Sequence, residues 1–300
     1  MLKNFVNLFS QILCPFLLNN LKLLIMKRIL VPTDFSKYSE EALKVATQIA
    51  RKNNSEIILL HMLELPHQTS DVMGGSGKSI PEIMYYKNKA ISNLEKLMDA
   101  DFLKGTNVFE AIEFKKVAEG IIDASEKNNV DLIVMGSHGT SGFDELMVGS
   151  NAEKVVRFSS IPVLVVKKGT TEFKANNFVF ASDFSKETKK PFRKMIEFAK
   201  IFDSNLYLVM ICTPNSFKTT HNAEKIMRNF VANFDIENYS SQIYNDTNIE
   251  NGIVNFAESV DADLIGICTH GRTGLAHFFN GSIGEDIVNH AIKPIITFKI

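Results

Sequence analysis

The sequence lacks several features that mark specialised classes of protein. It has no tryptophan, 3 cysteines in 300 residues and a formal net charge of -1. Cys14, Cys212 and Cys268 lie far apart and form neither a CxxC pair nor a zinc-ligand spacing, which is typical of a reducing cytosol. A net charge near zero gives no global attraction to nucleic acid or acidic lipid. We therefore predict a cytoplasmic protein with no disulfide framework, no nucleic-acid partner and no membrane partner.

Motifs of several catalytic classes are also missing. No lysine stands where a P-loop needs one, and no G-x-G-x-x-G opens the first predicted helix, so P-loop and dinucleotide sites are not indicated. The histidines do not form a metal-ligand set in the sequence. Ser137 and Ser150 have no evident paired base, so acyl transfer has no support. We expect a binding protein more than an enzyme, and no metal site of its own.

Residues 1–25 stand apart from the rest of the chain. They are rich in Leu, Phe and Ile, and Lys3 and Lys22 are their only charges, while Pro15 lies in the middle. Met26 and the residues after it look like the start of a domain. Three interpretations of residues 1–25 stay open: a misassigned start codon, a membrane-associating segment, or the leader of an exported precursor.

An internal repeat organises the remaining residues. The segment Pro32-Thr33-Asp34-Phe35-Ser36 returns as Ala181-Ser182-Asp183-Phe184-Ser185, at an offset of 149. Four later pairs of segments keep an offset of 132: Gly120-Ile121 with Gly252-Ile253, Asp131-Leu132-Ile133 with Asp263-Leu264-Ile265, His138-Gly139 with His270-Gly271, and Gly149-Ser150 with Gly281-Ser282. A constant offset indicates a duplicated domain. We predict domains at 26–167 and 176–300, a linker at 168–175, and 17 extra residues in the first copy, near its 73–78 loop.

Short apolar strands alternate with amphipathic helices in each copy. This pattern predicts an α/β fold with an open parallel sheet that helices cover on both faces. In the first copy we predict strands at 28–32, 56–62, 108–114, 131–135 and 162–166, and helices at 40–52, 82–103, 118–127 and 150–158. Ligands of such sheets bind beyond the carboxyl ends of the strands.

A glycine-rich loop follows the fourth predicted strand. It reads Gly136-Ser137-His138-Gly139, then nine residues, then Gly149-Ser150 at the start of a helix. Glycines let backbone N–H groups approach phosphate oxygens, and a helix N-terminus adds further donors. The alternative is that these glycines only end a strand and cap a helix.

Asp34 follows the first strand and is the second candidate element. Its carboxylate could accept a hydrogen bond from a ribose hydroxyl or a base amino group. Alternatively, Asp34 caps the following helix, and the two roles do not exclude each other.

These motifs resemble the universal stress protein family, in its ATP-binding branch. The resemblance covers 27–167 and 176–300 and implies two Rossmann-like, adenine nucleotide alpha hydrolase-like sheets of five strands in the order 3-2-1-4-5. It implies that Asp34 and Met62 face the adenosine, and that the glycine loop holds the ribose and phosphates. The candidate nucleotide-binding residues are Pro32, Thr33, Asp34, Met62, Met135, Gly136, Ser137, His138, Gly139, Gly149, Ser150 and Asn151.

The second copy departs from this pattern at Cys268, which stands where the first copy has Gly136. A cysteine side chain that crowded a bound ligand would cost ~1–3 kcal/mol. We therefore expect the first site to be the better one. The weaker candidates in the second copy are Asp183, Ile211, Cys268, Gly271, Gly281 and Ser282.

The resemblance implies a nucleotide-dependent regulatory protein of the stress response, with ATP as ligand and Mg²⁺ as the ion that would accompany it. Two alternatives stay open: a slow ATP-hydrolysing or autophosphorylating enzyme, and a nucleotide-free scaffold. We also predict that the two copies form an intramolecular pseudo-dimer through edge strands at 162–166 and 294–298, because pairing covers two exposed edges. A homodimer of the whole chain is a further option.

Overall fold

The computed structural model describes residues 26–64, 80–138, 149–269 and 291–300. The described strands are β1 (Arg28–Thr33), β2 (Glu56–Met62), β3 (Val108–Glu113), β4 (Leu132–Gly136), β5 (Val163–Val166), β6 (Asn177–Ala181), β7 (Asn205–Cys212), β8 (Tyr239–Asn245), β9 (Leu264–Thr269) and β10 (Ile295–Lys299). The described helices are α1 (Lys37–Asn53), α2 (Ile80–Met98), α3 (Val117–Lys127), α4 (Ser150–Phe158), α5 (Lys189–Phe202), α6 (Thr220–Val231) and α7 (Ile249–Ser259). Among these, no helix is long and apolar enough to cross a membrane.

The described strands form one sheet in the order β3-β2-β1-β4-β5-β10-β9-β6-β7-β8. Neighbours within each copy are parallel, and each copy has the predicted order 3-2-1-4-5. The two copies meet at β5 and β10, which pair antiparallel with Ile295 opposite Val165. The predicted pairing of these two edge strands is therefore present, and it joins the two sheets into one.

Both faces of the sheet are apolar, as a parallel sheet covered by helices requires. In β4, Leu132 and Val134 belong to one buried cluster, and Ile133 and Met135 belong to the other. The first cluster includes α1 and α5, and the second includes residues of α3, α4 and α7. Burial of each large aliphatic side chain contributes ~1.5–3 kcal/mol to stability.

Phenylalanine dominates the core of the second copy. Phe180 makes edge-on contacts with Phe192 and Phe298, and Phe192 contacts Phe230 and Phe234 in the same way. Ring centroids in these pairs lie 4.7 to 6.3 Å apart, the range in which edge-to-face packing is favourable.

Most predicted element bounds agree with the structure within three residues, and those of β2 and α4 agree fully. The exception is the helix predicted at 82–103, because α2 ends at Met98 and a separate 3-10 turn follows at Asp101–Leu103. The extra residues of the first copy lie partly in this helix, since α2 has 19 residues and its counterpart α6 has 12. The remainder falls between β2 and α2, where the predicted 73–78 loop lies outside the described residues.

Candidate functional site

The turn after β1 has the same geometry in both copies. Phe35 adopts a left-handed φ of 63°, and Phe184 adopts 54° at the equivalent position. The Asp34 Oδ1 atom accepts a hydrogen bond from the backbone N–H of Ser36 at 3.0 Å, and Asp183 does the same for Ser185. Two copies of one strained turn indicate that it is specified locally, because a non-glycine residue seldom adopts a left-handed φ without supporting contacts.

The cap of α1 is Ser36, whose side chain accepts from the backbone N–H of Ser39 at 3.2 Å. The alternative prediction that Asp34 itself caps this helix is therefore wrong. Asp34 forms the turn that precedes the cap, where it lines a cavity at the carboxyl ends of the strands.

Met62, at the end of β2, lies against a glycine of α3. A Cβ atom built on Gly120 would come within 2.0 Å of the Met62 Cε atom. In the second copy, a Cβ atom on Gly252 would come within 2.5 Å of the Ile211 Cγ2 atom. The repeated Gly-Ile pair therefore has a packing reason: each glycine makes room for the side chain that ends the second strand of its copy.

Gly136 lies against the first turn of α1. A Cβ atom on Gly136 would come within 2.8 Å of the Tyr38 carbonyl oxygen. At the equivalent position in the second copy, Cys268 belongs to the buried cluster that packs around α1 and α5, and burial raises the pKa of its thiol. The helix of the second copy that corresponds to α1 is α5. It begins at Lys189, three residues later than the offset of 149 predicts, and this later start leaves room for the Cys268 side chain.

The predicted reason for a weaker second site was that the Cys268 side chain would crowd a bound ligand, and the geometry contradicts this reason. A side chain at position 136 or 268 would point to the α1 and α5 face, whereas the cavity lies on the other face, with Met62, Ile121 and Met135. The Cys268 side chain thus packs into the core on the α5 face and does not point toward the ligand side.

Ser137 and His138 form a pair that the sequence did not reveal. The Ser137 Oγ atom lies 2.9 Å from the His138 Nδ1 atom, so the statement that Ser137 has no paired base is wrong. Ser137 is 1% exposed, and the buried His138 Nε2 atom has no hydrogen-bond partner among the described residues. When the serine hydroxyl donates to Nδ1, Nε2 carries the proton and is a hydrogen-bond donor.

The start of α4 closes the loop that follows β4. The backbone N–H of Gly149 donates to the Ser137 carbonyl oxygen at 2.8 Å, which holds the two ends of the loop together. Gly149 is the N-cap and offers no side-chain acceptor to the first turn, while Ser150 and Asn151 are exposed. The first N–H groups of α4 are therefore available to an anion.

These elements surround one cavity of about 250 Å³ at the carboxyl ends of β1, β2 and β4. Its base is apolar and its rim is polar. Of the candidates predicted for the first copy, all but Gly139 line it: Pro32, Thr33, Asp34, Met62, Met135, Gly136, Ser137, His138, Gly149, Ser150 and Asn151. Gly139 lies outside the described residues.

Six further lining residues were not predicted as site residues: Ser39, Leu60, His61, Val117, Ile121 and Ala152. Of these, Ile121 carried a signal, because the Gly-Ile pair recurs at the offset of 132. His61 is held by a hydrogen bond between its Nδ1 atom and the Thr33 carbonyl oxygen at 2.8 Å, and its ring stacks near that of Phe35.

The described part of the equivalent region in the second copy holds a much smaller cavity. Its described lining encloses about 20 Å³ and includes Asp183, Ile211 and Lys218. Lys218 comes from the connection between β7 and α6, and Met210 takes the place of His61. The predicted Gly271, Gly281 and Ser282 lie outside the described residues. Within the described ranges of both copies, no group of three His, Cys, Asp or Glu residues could hold a metal ion.

Comparison with known proteins assigns the family. Residues 26–167 and 241–299 match the model of the universal stress protein family. The chain belongs to the universal stress protein family. In the second copy the match begins only at residue 241, after β7 and α6, so this family member departs most from the common pattern in the first part of its second copy.

Individual relatives agree with the assignment. Universal stress protein MJ0577 of Methanocaldococcus jannaschii is 35% identical over 154 residues, which cover 47% of this chain and 95% of that protein. Universal stress protein Slr1230 of Synechocystis sp. is 24% identical over 297 residues, which cover 91% of this chain and 100% of that protein. The crystal structure of a universal stress protein from Archaeoglobus fulgidus has the same tandem fold, with a TM-score of 0.69 at 21% identity, and covers 91% of this chain and 96% of that one.

Proposed function

We propose that the first copy binds ATP and that the protein is a nucleotide-dependent regulatory module of the stress response. One observation carries the proposal. The described candidate residues of the first copy come from three strand ends and one helix start, and they surround a single cavity of about 250 Å³. This is close to the lower end of the ~300–1,000 Å³ of ligand pockets.

The lining fits an adenosine in its chemistry. The Leu60, Met62, Ile121 and Met135 side chains give an apolar surface on which a purine can pack. Asp34 stands at the rim, where a carboxylate can accept hydrogen bonds from the ribose hydroxyls. Gly120 keeps Met62 in place beneath the base.

The phosphates of ATP would lie toward α4. The first turn of this helix offers N–H donors and the positive end of its dipole, which favour an anion. His138 also lines the cavity, and its Nε2–H would be a further donor when the Ser137 hydroxyl donates to Nδ1. When ATP is bound, its Mg²⁺ would supply charge neutralisation, and the described residues hold and orient the nucleotide.

We propose the same domain limits as before, 26–167 and 176–300, with one change in the nature of the connection. Residues 168–175 are not merely a polar linker, since Phe173 is 7% exposed and packs on Phe202. We propose that ATP binding to the first domain acts through the contacts of that domain with the second domain.

Titration of the purified protein with ATP tests the proposal, with Asp34→Asn and Asp183→Asn as a matched pair. Asparagine keeps an oxygen for the turn hydrogen bond to residue 36 or 185 but removes the charge. We expect Asp34→Asn to weaken ATP binding by about tenfold, as the loss of a charged hydrogen bond of ~1.5 kcal/mol does. Asp183→Asn should leave it unchanged. Equal effects of the two variants, or none, would contradict the assignment. Phosphate release in the same samples distinguishes binding from slow hydrolysis.

A further inference from the structure

The segment that leads into the second copy is anchored between the two copies. The Gln48 side chain, on α1 of the first copy, accepts from the backbone N–H of Phe173 at 2.9 Å and donates to the Thr171 carbonyl oxygen at 3.2 Å. The Phe173 ring meets that of Phe202, on α5 of the second copy, at a centroid distance of 5.3 Å. The chain before β6 is thus clamped between the two helices of one face.

The duplicated fold defines a place in front of β1 that is equivalent to the place of the 168–175 segment in front of β6. At the offset of 149, Ala175 corresponds to Met26 and Phe173 to Leu24, while Gln48 corresponds to Glu197. Because β5 and β10 pair antiparallel, each copy presents its first helix to the segment that precedes the other copy. The region in front of Met26 should therefore lie against α5, as the chain before β6 lies against α1.

A cavity of about 470 Å³ lies at this equivalent place. The first copy contributes Met26, Leu132 and Pro162 to its lining, and the second copy contributes Glu197, Phe198 and Ile201. Met26, the first described residue, is itself buried and lies at the edge of the cavity. Its backbone carbonyl accepts hydrogen bonds from Asn53 and Ser55 at 2.7 and 2.6 Å, which fixes where the preceding chain enters.

The polar groups of the cavity match a segment of main chain. Glu197 stands where Gln48 stands in the occupied counterpart, in a lining that also includes Glu126, Asp131 and Lys194. Partial burial raises the pKa of the Glu197 carboxyl although Lys194, Lys200 and Arg193 act in the opposite direction, so a hydrogen-bond donor that reached it would favour its charged form. A backbone N–H at position 24 would be such a donor, and the Lys22 ammonium is a second one in the same stretch.

We propose that this cavity is the docking site for the chain that leads into Met26, with the Leu24 side chain taking the place that Phe173 takes in the second copy. The composition of residues 22–25, Lys-Leu-Leu-Ile, fits a cavity whose lining combines apolar side chains with the carboxylates of Glu126, Asp131 and Glu197. Docking there would link the two copies by a second strap, related to the 168–175 linker by the pseudo-symmetry of the duplication. This assignment gives residues 22–25 a role in the folded protein, independent of nucleotide binding.

Thiol labelling in the full chain tests the proposal. Ile201→Cys places a thiol in the cavity wall, in a Cys14→Ser background, where the described cysteines Cys212 and Cys268 are buried. We expect Leu24→Asp to accelerate alkylation of this thiol by about tenfold, the factor that corresponds to ~1.4 kcal/mol of docking free energy. Leu8→Asp is the matched control, because it makes the same change in the same segment away from Met26, and it should leave the rate unchanged.

Three results would overturn the proposal. The first is an alkylation rate that neither substitution changes, which would mean that Leu24 does not cover the cavity. The second is an equal acceleration by both substitutions, which would indicate a general effect of residues 1–25. The third is sedimentation of the parent chain with phosphatidylcholine vesicles together with fast alkylation of the Ile201→Cys thiol, which would assign the segment to a membrane.

Discussion

The two copies share a fold and one turn geometry, yet among the described residues the cavity at the carboxyl ends of the strands is much larger in the first copy than in the second. The cavity measures about 250 Å³ in the first copy and about 20 Å³ in the second. Asp34 and Asp183 make the same hydrogen bond, so the turn did not diverge. What differs is the second strand end and the connection after it, where Met210, Ile211 and Lys218 line the second cavity. A duplicated fold can thus keep the framework of a site while side chains fill the site itself.

The cores differ as well, and the first prediction tests this difference. Leu43 and Phe192 occupy equivalent helix positions, and both are fully buried. Phe192→Ala should lower the free energy of unfolding by ~3–5 kcal/mol, because the rings of Phe180, Phe230 and Phe234 each lose a partner and a void is left between them. Leu43→Phe should cost less, ~1–3 kcal/mol, since the aliphatic core of the first copy has to expand. Chemical denaturation measures both, and equal costs would mean that the two cores are interchangeable.

The second prediction compares the two helix glycines. Gly120→Val should displace Met62 into the cavity and weaken ATP binding by about tenfold or more, in line with an overpacking cost of ~1–3 kcal/mol. Gly252→Val makes the same collision with Ile211 in the second copy and should leave ATP affinity unchanged. Titration of both variants with ATP measures the difference. An equal loss of affinity would place a working site in the second copy.

The third prediction exchanges the residues at the end of the fourth strand. Gly136→Cys should destabilise the protein by ~1–3 kcal/mol, because its Cβ atom would collide with the Tyr38 backbone. Cys268→Gly should cost about 1 kcal/mol from backbone entropy and lost packing. Thermal unfolding measures both. A stable Gly136→Cys variant that loses ATP would restore the view that this position crowds a ligand.

The fourth and smallest prediction concerns the lysines that follow the paired strands, Lys167 and Lys299. Burial lowers the pKa of Lys167 from 10.5 to about 8, so the folded state favours the neutral amine. The resulting destabilisation has its full size below about pH 8. It disappears as the pH rises toward 10.5, the pKa of this lysine in the unfolded chain. Lys167→Met should therefore raise stability at pH 7 by about 1 kcal/mol and by less at pH 10.

Lys299 provides the control for this pH effect. Burial lowers its pKa too, and its Nζ atom donates a hydrogen bond to the Arg157 carbonyl oxygen, which Lys299→Met would remove. Because the pKa of Lys167 is lowered as far as about 8, Lys299→Met should stabilise the protein less than Lys167→Met at pH 7. The opposite order in thermal unfolding at pH 7 and pH 10 would contradict this account of the two lysines.

The sequence predicted what depends on local pattern and on repetition. Strand β2 and helix α4 have the predicted bounds because clear breaks in apolar pattern flank them. The two-copy organisation and the sheet order follow from the repeat and from the family resemblance. The first-copy residues predicted from these motifs, apart from Gly139, all line one cavity.

What the sequence did not predict depends on contacts between distant segments. The role of Gly136 requires knowing that Tyr38 lies against it, and the role of Gly120 depends on the Met62 side chain. The buried Phe173 lies in a polar stretch that local pattern assigns to a linker. The space between the copies appears only when β5 and β10 are paired, since six residues of its lining come from the second copy.

Mass analysis of the nucleotide released from freshly purified, denatured protein tests the central claim most directly. We expect about one ATP per chain, and its loss in a Gly139→Val variant, because the described residues enclose about 250 Å³ in the first copy and about 20 Å³ in the second. Two ATP per chain would contradict the comparison between the copies. A protein that carries no ATP and binds none when it is added would contradict the proposed function and leave the tandem fold as a scaffold.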